Sequence, residues 1–278
     1  MPKLVEIVIV GAGDRGSEYS KYALLHPDQA KIVAVAEPRP FYRQRMVETH
    51  QIPAGNIYDD WQALTSRDRF ADAVIIATQD KLHEAPAIAL AEKGYHMLLE
   101  KPMAPTIEAC QRIFDVVVAS DIIFAVCHVM RYTHYTRKLK ELITSGLIGD
   151  LISIQHLEPI GYWHFAHSFV RGNWRKESES APILLSKSCH DLDWLRHIMG
   201  ARCVRVSSFG SLRHFNKENQ PQTAGDRCLD CNHEPRCPYS AKKIYPQLIE
   251  LGLTDWLANV LTPDLTPEGI TQALHDGP

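Results

Sequence analysis

A glycine-rich segment near the start of the chain has the residue types and spacing of a phosphate-binding turn. It follows the pattern G-x-G-x-x-G through Gly11, Ala12, Gly13, Asp14, Arg15 and Gly16. Glycines permit a tight turn, let the backbone approach a pyrophosphate and let the next helix pack closely on the preceding strand. The first N–H groups of that helix then face the phosphate charge. The pattern predicts a dinucleotide site that these six residues form.

An acidic residue stands where the adenosine ribose of a dinucleotide would lie. Glu37 ends the second apolar run, about 20 residues after the glycine turn, at the usual distance of the ribose-binding acid. Its carboxylate would repel a 2′-phosphate, so we expect NAD to bind in preference to NADP. Arg39 and Arg43 follow closely, and a phosphate contact by these residues would make NADP the alternative cofactor.

Composition and charge narrow the class of protein. The chain has 278 residues, of which 45% are hydrophobic and 23% charged, and its net charge is −3. These values are ordinary for a globular protein and favour neither a nucleic-acid partner nor long disorder. No apolar run approaches the ~18 residues of a membrane helix. The seven cysteines, an odd number without a signal peptide before them, predict reduced thiols. We therefore expect a cytoplasmic protein.

The first 128 residues alternate between strand and helix patterns. Near-continuous apolar runs predict buried parallel strands at Glu6–Val10, Lys31–Ala36, Ala73–Ala77, Met97–Leu99 and Ile122–Val126. Helices are predicted between them at Ser17–Leu25, Arg39–Thr49, Leu82–Lys93 and Glu108–Ala119. This alternation predicts an α/β fold, a Rossmann-type doubly wound parallel sheet, for a domain spanning residues 1–128.

The pattern changes in the second domain, residues 129–278. Helices are predicted at Tyr135–Ser145 and Leu185–Met199, and strands of antiparallel type at Leu151–His156 and Cys203–Phe209. Two strands make a marginal sheet in water. We therefore expect an α+β domain whose antiparallel sheet is incomplete, either because the chain is a truncated piece of a longer protein or because it borrows strands from a partner. An exposed sheet edge favours self-association, so a homo-oligomer is expected.

Two further segments carry a resemblance to a known family. The stretch from Ile76 to His83 (IATQDKLH), followed by Glu100-Lys101-Pro102, resembles the Gfo/Idh/MocA oxidoreductases. That family pairs a dinucleotide-binding domain with an open antiparallel sheet domain, and many members act on sugars or cyclitols. The resemblance implies an NAD(P)-dependent enzyme that transfers a hydride between nicotinamide and a hydroxyl carbon of a small sugar, polyol or cyclitol.

The resemblance also assigns roles on the cofactor side of the site. Lys101 follows a predicted strand at the end of the sheet where ligands bind, and an amine there can exchange a proton with a substrate hydroxyl as the hydride moves. Glu100 could hold its orientation and contact the cofactor. Thr78, Gln79 and His83 resemble the family's cofactor-lining loop, although His83 could equally cap or pack against its helix.

The substrate side of the site is expected around His190. The family commonly has Asp-x-Gly-x-His here, and in this chain Ser186 stands at the aspartate position. A serine can hydrogen-bond a sugar hydroxyl but cannot orient an imidazole by charge. His190 is the predicted second acid/base, with Ser186 and Lys187 as substrate contacts; a purely structural histidine is the alternative. Tyr162 and Trp163 are predicted to stack on the sugar ring or to form an edge of the core.

A cysteine cluster is the last candidate site. Cys228, Cys231 and Cys237 have the spacing C-x-x-C-x5-C, with His233 between them. The spacing would suit a structural zinc ion held by three thiolates and one imidazole. Three reduced thiols in a loop are the alternative, because a second C-x-x-C is missing.

Two other functions are compatible with the same residues. One is a glycosidase or epimerase that oxidises its substrate transiently with bound NAD, and net NADH release distinguishes it from a dehydrogenase. The other is a catalytically inert dinucleotide-binding subunit. Its main support is Ser186 at the position of the family's aspartate.

Overall fold

A computed structural model describes residues 3–277 of the chain. In the first part of the chain, six parallel strands form a sheet. The strands are β1 (Val5–Val10), β2 (Ala30–Ala36), β3 (Ile57–Tyr58), β4 (Ala73–Ile76), β5 (His96–Leu99) and β6 (Phe124–Val126). They lie in the order β3-β2-β1-β4-β5-β6, and every neighbouring pair is parallel. The predicted Rossmann-type sheet is confirmed. The short edge strand β3 adds to the five strands that the apolar runs predicted.

Apolar side chains pack on both faces of this sheet. Val8 and Val10 belong to one buried cluster, whereas Ile9 between them belongs to the other. A strand that is covered on both faces buries every side chain, which is why its sequence is continuously apolar instead of alternating. The helices of this region are α1 (Asp14–Leu25), α2 (Pro40–His50), α3 (Gln62–Thr65), α4 (Glu84–Glu92) and α5 (Ile107–Ala119).

The chain divides into two compact units. One unit contains the residues up to Val129 together with Glu177–His190, and the other contains Met130–Lys176 and the residues from Asp191 onward. A short segment from the second half of the sequence therefore packs with the first half. The division into domains at residues 1–128 and 129–278 stays a prediction.

Helices account for the regular structure after Val129. They are α6 (His134–Thr144), α7 (Tyr162–Phe165), α8 (Ile183–Ser186), α9 (Cys189–Met199), α10 (Ala241–Glu250), α11 (Ala258–Leu261) and α12 (Pro267–Asp276), and α7 continues as a π-helical turn over Ala166–Val170. The single helix predicted over Leu185–Met199 is two helices, because the N–H groups of Lys187 and Ser188 both donate to the carbonyl of Ile183 and close a turn there. Among the described residues, no helix is long and apolar enough to span a bilayer.

The two antiparallel strands predicted in the second half are not formed. Residues 151–161 and 202–213 contain neither helix nor strand, and sheet pairing among the described residues is confined to β1–β6. The side chains of Val204 and Phe209 are 96% and 97% exposed. An alternating pattern indicates which face of a strand would be buried, but a strand also needs a neighbour to pair its backbone N–H and C=O groups.

Candidate active site

The carboxyl-terminal ends of β1, β4 and β5 lie side by side in the sheet. Val10 pairs in register with Ile76, and Ile76 with Leu99. The glycine turn, the loop after β4 and Glu100-Lys101 therefore leave the sheet at the same carboxyl-terminal edge. Ligands of open parallel sheets bind at this edge, beside the strand where the order changes direction.

The glycine turn has the shape that a dinucleotide requires. Gly11 has φ +90°, and a Cβ there would lie 2.6 Å from the carbonyl oxygen of Ala77. A Cβ on Gly16 would lie 2.0 Å from the carbonyl oxygen of Gly11. Gly13 precedes α1 without a side-chain cap on the helix, so the first N–H groups of α1 are available to an anion. These residues fit the pyrophosphate of NAD.

The carboxylate of Glu37 is buried and accepts four hydrogen bonds. It is 2% exposed. Its Oε2 accepts from the backbone N–H of Ala12 at 2.8 Å and from Arg39 at 3.0 Å, and its Oε1 accepts from the N–H and the Nε of Arg39 at 3.0 and 2.7 Å. Burial acts to raise the pKa of Glu37, but the hydrogen bonds and charge of Arg39, with the Ala12 N–H, outweigh it and hold this pKa below its usual value. Ribose hydroxyls would have to replace the side-chain bonds of Arg39.

The two arginines that could bind a 2′-phosphate are both held in place. The guanidinium of Arg39 lies 4.1 Å from the ring centroid of Tyr42. Arg43 donates to the carbonyl oxygens of Glu37 and Pro38 and forms an ion pair with Asp59 at 3.0 Å. The sequence identified both residues, but not that Arg39 neutralises the acid expected to repel the phosphate.

Lys101 is attached to the sheet edge through Glu100. The carboxylate of Glu100 is 5% exposed, and its Oε2 accepts from the backbone N–H of Lys101 at 2.6 Å. The bond is therefore made with the backbone of the lysine and not with its ammonium group. Lys101 Nζ donates instead to the carbonyl oxygen of Ser186 at 2.9 Å. This contact joins Lys101 to the end of α8, four positions before His190.

Ser186 contributes its backbone to this arrangement. Its side chain is buried, and its hydroxyl donates to the carbonyl oxygen of Pro182 at 3.2 Å. His190 follows four positions later, and its ring packs edge-on against His128 with 6.1 Å between the ring centroids. Lys187 is half-buried in the turn between α8 and α9. The substrate roles of Ser186 and Lys187 stay predictions.

The ring of His83 contacts the backbone of the loop after β4 and of the loop after β5. This residue is fully buried, and its ring nitrogens lie 2.8 Å from the carbonyl oxygen of Pro102 and 3.1 Å from that of Thr78. The geometry matches the packing alternative, in which the ring joins two loops of the sheet edge. Thr78 donates to the carbonyl oxygen of Leu82 at 3.1 Å, and Gln79 is exposed at the edge. Cofactor contacts of these residues stay predictions.

An aromatic cluster lies in the second unit around α7. Tyr162 and Trp163 are 56% and 40% exposed, and the ring centroid of Trp163 lies 6.2 Å from that of Trp256. The buried ring of His167, one turn further, lies 2.7 Å from the hydroxyl of Tyr245. Tyr162 and Trp163 thus keep exposed rings, as stacking on a sugar requires, and that role stays a prediction.

The predicted zinc ligands do not converge. The sulfur of Cys228 accepts from Arg171 at 3.6 Å and packs against α10 and α12, and that of Cys231 accepts from the N–H of Gly225. Within residues 3–277, Cys228, Cys231, Cys237 and His233 are not among the groups of side chains with ligand atoms close enough to share a metal ion. The prediction of a zinc site is corrected to the alternative of free thiols in a loop, since the sulfurs of Cys228 and Cys231 contact different groups.

Tyr19 and Cys127 belong to this edge, although the sequence analysis missed both. The hydroxyl of Tyr19 donates to Glu100 Oε1 at 2.6 Å. The backbone N–H of Cys127 donates to the carbonyl oxygen of Leu99 at 2.8 Å, directly after β6. Tyr19 follows the last glycine of the turn by three positions, and residues three apart lie on one face of a helix. That spacing was the available signal.

Comparisons with known proteins agree with this geometry. Residues 5–128 match a family model described as "Oxidoreductase family, NAD-binding Rossmann fold", and residues 140–234 match its companion, "Oxidoreductase family, C-terminal alpha/beta domain". The chain is 30% identical over 224 residues to the 2,7-anhydro-N-acetylneuraminate hydratase of Mediterraneibacter gnavus, covering 81% of this chain and 56% of that protein. It is 26% identical to the scyllo-inositol 2-dehydrogenase (NAD(+)) of Bacillus subtilis, covering 76% and 59%. The chain thus spans little more than half the length of these relatives.

Solved structures show the same fold. The apo scyllo-inositol dehydrogenase from Lactobacillus casei aligns with a TM-score of 0.59 at 24% identity, over 71% of this chain and 56% of that one. A putative dehydrogenase from Bordetella bronchiseptica aligns with a TM-score of 0.60 at 24% identity, over 72% and 51%. With both family models matched in order along the sequence and the glycine turn, Glu100-Lys101 and His190 segments in place, the chain belongs to the Gfo/Idh/MocA oxidoreductase family.

Proposed function

We propose that the protein is an NAD-dependent oxidoreductase that acts on a hydroxyl carbon of a sugar, polyol or cyclitol. The observation that carries the proposal is the alignment of the glycine turn and Lys101 at one edge of the sheet, set by the register of Val10, Ile76 and Leu99. A cofactor anchored by its pyrophosphate at α1 would extend along this edge toward Lys101. When bound, NAD supplies the hydride acceptor at its nicotinamide ring.

Side chains of the protein accept the proton of the substrate hydroxyl and return it. In the oxidative direction, Lys101 as a neutral amine accepts the proton of the substrate hydroxyl while the carbon loses a hydride, so that a carbonyl forms. In the reverse direction its ammonium returns the proton. The carbonyl of Ser186 holds Lys101 Nζ at 2.9 Å, and His190 serves as the second acid/base of the site. Glu37 binds the adenosine ribose after Arg39 releases it.

A panel of polyols and aldoses, followed by NADH absorbance with NADP in parallel, tests the proposal. Steady NADH production with at least one polyol supports it. Dinucleotide binding without turnover on the whole panel would contradict it and favour the inert subunit.

Transient oxidation is a second candidate, favoured by the hydratase named among the relatives. In this reaction the transient carbonyl would acidify the neighbouring C–H, so that the anhydro C–O bond could be eliminated and water added in its place. The hydride and the proton held by Lys101 would then return to the same molecule, so that no NADH accumulates. Conversion of an anhydro sugar followed by NMR, with catalytic NAD and a flat NADH signal, distinguishes it from a dehydrogenase.

We also propose that the protein acts as a homo-oligomer in the cytoplasm. The exposed extended segments favour self-association, and the seven cysteines are free thiols, as in a reducing compartment. Light scattering tests the first part, and a monodisperse monomer would contradict it.

A further inference from the structure

Tyr19 connects the cofactor helix to the lysine of the sheet edge. It lies on α1, and its hydroxyl donates to Glu100 Oε1 at 2.6 Å. The other oxygen of that carboxylate accepts from the backbone N–H of Lys101 at 2.6 Å. A single buried carboxylate thus receives one hydrogen bond from α1 and one from the residue that bears the proposed proton-transfer group.

We infer that Tyr19 is a positioning residue for Lys101 and acts through Glu100. The inference rests on the proposed function only for its consequence in turnover, because the contacts themselves belong to the described structure. Tyr19 orients the carboxylate, the carboxylate holds the backbone N–H of Lys101, and the backbone sets the point from which the side chain reaches Ser186.

The surroundings keep the Tyr19 hydroxyl in its donor form. Burial, together with the negative charge of Glu100 and the neighbouring Cys127, raises the pKa of Tyr19. Burial, together with Glu100, also raises the pKa of Cys127 to about 12, so that this thiol keeps its proton. The Glu100 carboxylate is therefore the acceptor of the group, and Tyr19 can only donate to it.

Removing the hydroxyl would leave Glu100 Oε1 without this donor in a site where it is 5% exposed. A buried acceptor that loses its partner is costly, and the carboxylate would turn toward other donors. Its second hydrogen bond, to the backbone of Lys101, would change with it. Lys101 would then leave the Ser186 carbonyl more often and sample more directions.

The test compares Tyr19→Phe with Tyr22→Phe. Tyr22 lies on the same helix, and its hydroxyl donates to Gln29 Oε1 at 2.8 Å, but the residue is 49% exposed and has no contact with Glu100. Both variants lose one hydroxyl and the hydrogen bond that it donates to a side-chain oxygen. The readouts are the kcat and KM of turnover, the Kd of NAD, and the rate at which acetic anhydride modifies Lys101 relative to Lys93 at fixed pH, followed by peptide mass spectrometry.

We expect kcat of Tyr19→Phe to fall ~10-fold or more, since small displacements of a reacting group are costly, while the Kd of NAD stays within about twofold because the hydroxyl does not bind the cofactor. Lys101 should be modified severalfold faster than in the wild-type protein, and Tyr22→Phe should match the wild type throughout. Equal behaviour of the two variants, or a loss of NAD binding that accompanies the loss of kcat, would overturn the inference.

Glu100→Gln provides a second variant that does not depend on the folding of Tyr19→Phe. It should also accelerate modification of Lys101, and the double variant should add little more, because both changes break one chain of contacts. Additive effects would overturn the inference. If the wild-type chain turns over no substrate, the modification rates still decide the role of Tyr19, and only the proposed function fails.

Discussion

The two halves of the chain differ in whether their apolar segments form paired, buried strands. Before Val129, apolar runs form six paired strands, and Val8, Ile9 and Val10 are at most 1% exposed. After Val129, two extended segments with alternating apolar residues stay unpaired, and Phe209 is 97% exposed. Both patterns are compatible with strands, so the difference does not come from the intrinsic preference of the residues.

The difference comes from where the neighbouring strands are. In the first half each strand from β1 to β5 is followed by a helix and then by another strand, and these local connections bring all neighbouring strands except β1 and β4 side by side. In the second half, the segments at residues 151–161 and 202–213 each lack a paired strand among the described residues. Without backbone pairing, burial of a few side chains does not offset the entropy lost by ordering a strand.

Hydrogen exchange gives the largest expected contrast between the halves. Amides of β1 and β4 should exchange about 10⁴-fold more slowly than those of residues 202–213, because the former require opening of the sheet core. Amides of α10 serve as the control that the second unit is folded. Equal protection in β1 and residues 202–213 would mean that these segments pair in solution, for instance with a second copy.

Replacing Lys101 tests whether the chemistry resides at the ordered sheet edge. Lys101→Ala should lose on the order of 10²–10⁴-fold in turnover, the usual effect of removing an acid/base group, with little change in the Kd of NAD. Lys93→Ala is the control, since Lys93 Nζ is exposed and donates to the backbone of Arg67. Turnover within a factor of a few of the wild type would make Lys101 structural.

Lowering the pH should reduce the free energy of unfolding of the second unit because His167 is buried there. Burial, with smaller contributions from the charges of Arg171 and His164, lowers the pKa of His167 from 6.5 to about 4. The unfolded chain then binds the proton more readily, so stability is fully present above pH 6.5 and decreases as the pH falls toward 4. At pH 4.5 the free energy of unfolding should be lower by about 2.5 kcal/mol than at pH 7.5.

Denaturant melts at these two pH values measure that difference. His167→Gln should remove most of it, whereas His275→Gln, at an exposed position on α12, should keep it. A wild-type difference that survives in His167→Gln would assign the pH dependence to other groups.

The smallest expected effect concerns the choice of cofactor. The wild type should bind NAD more tightly than NADP, and Glu37→Gln should reduce this preference about tenfold, because the loss of a charge frees Arg39 to bind a 2′-phosphate. Fluorescence titration of both cofactors measures the ratio, with Glu48→Gln on the exposed face of α2 as control. Tighter binding of NADP by the wild type would assign Arg39 the dominant role.

The sequence by itself determined the parts that depend on neighbouring residues. Apolar runs located the buried strands, G-x-G-x-x-G located the cofactor turn, and the start of α5 depends on a threonine three positions away, where the Thr106 hydroxyl accepts from the N–H of Ala109 at 3.2 Å. Each of these signals spans a few positions, because hydrogen-bonding period, turn geometry and capping are local properties of the chain.

Only the tertiary structure decided which distant groups meet. Glu37 accepts four hydrogen bonds from Ala12 and Arg39, Lys101 reaches the carbonyl of Ser186, and the sulfurs of Cys228 and Cys231 contact different groups. The same is true of the strands that did not form after Val129. Hydrogen bonds, ion pairs and strand pairing between remote segments depend on the path of the backbone between them, and a residue type or a spacing does not contain that path.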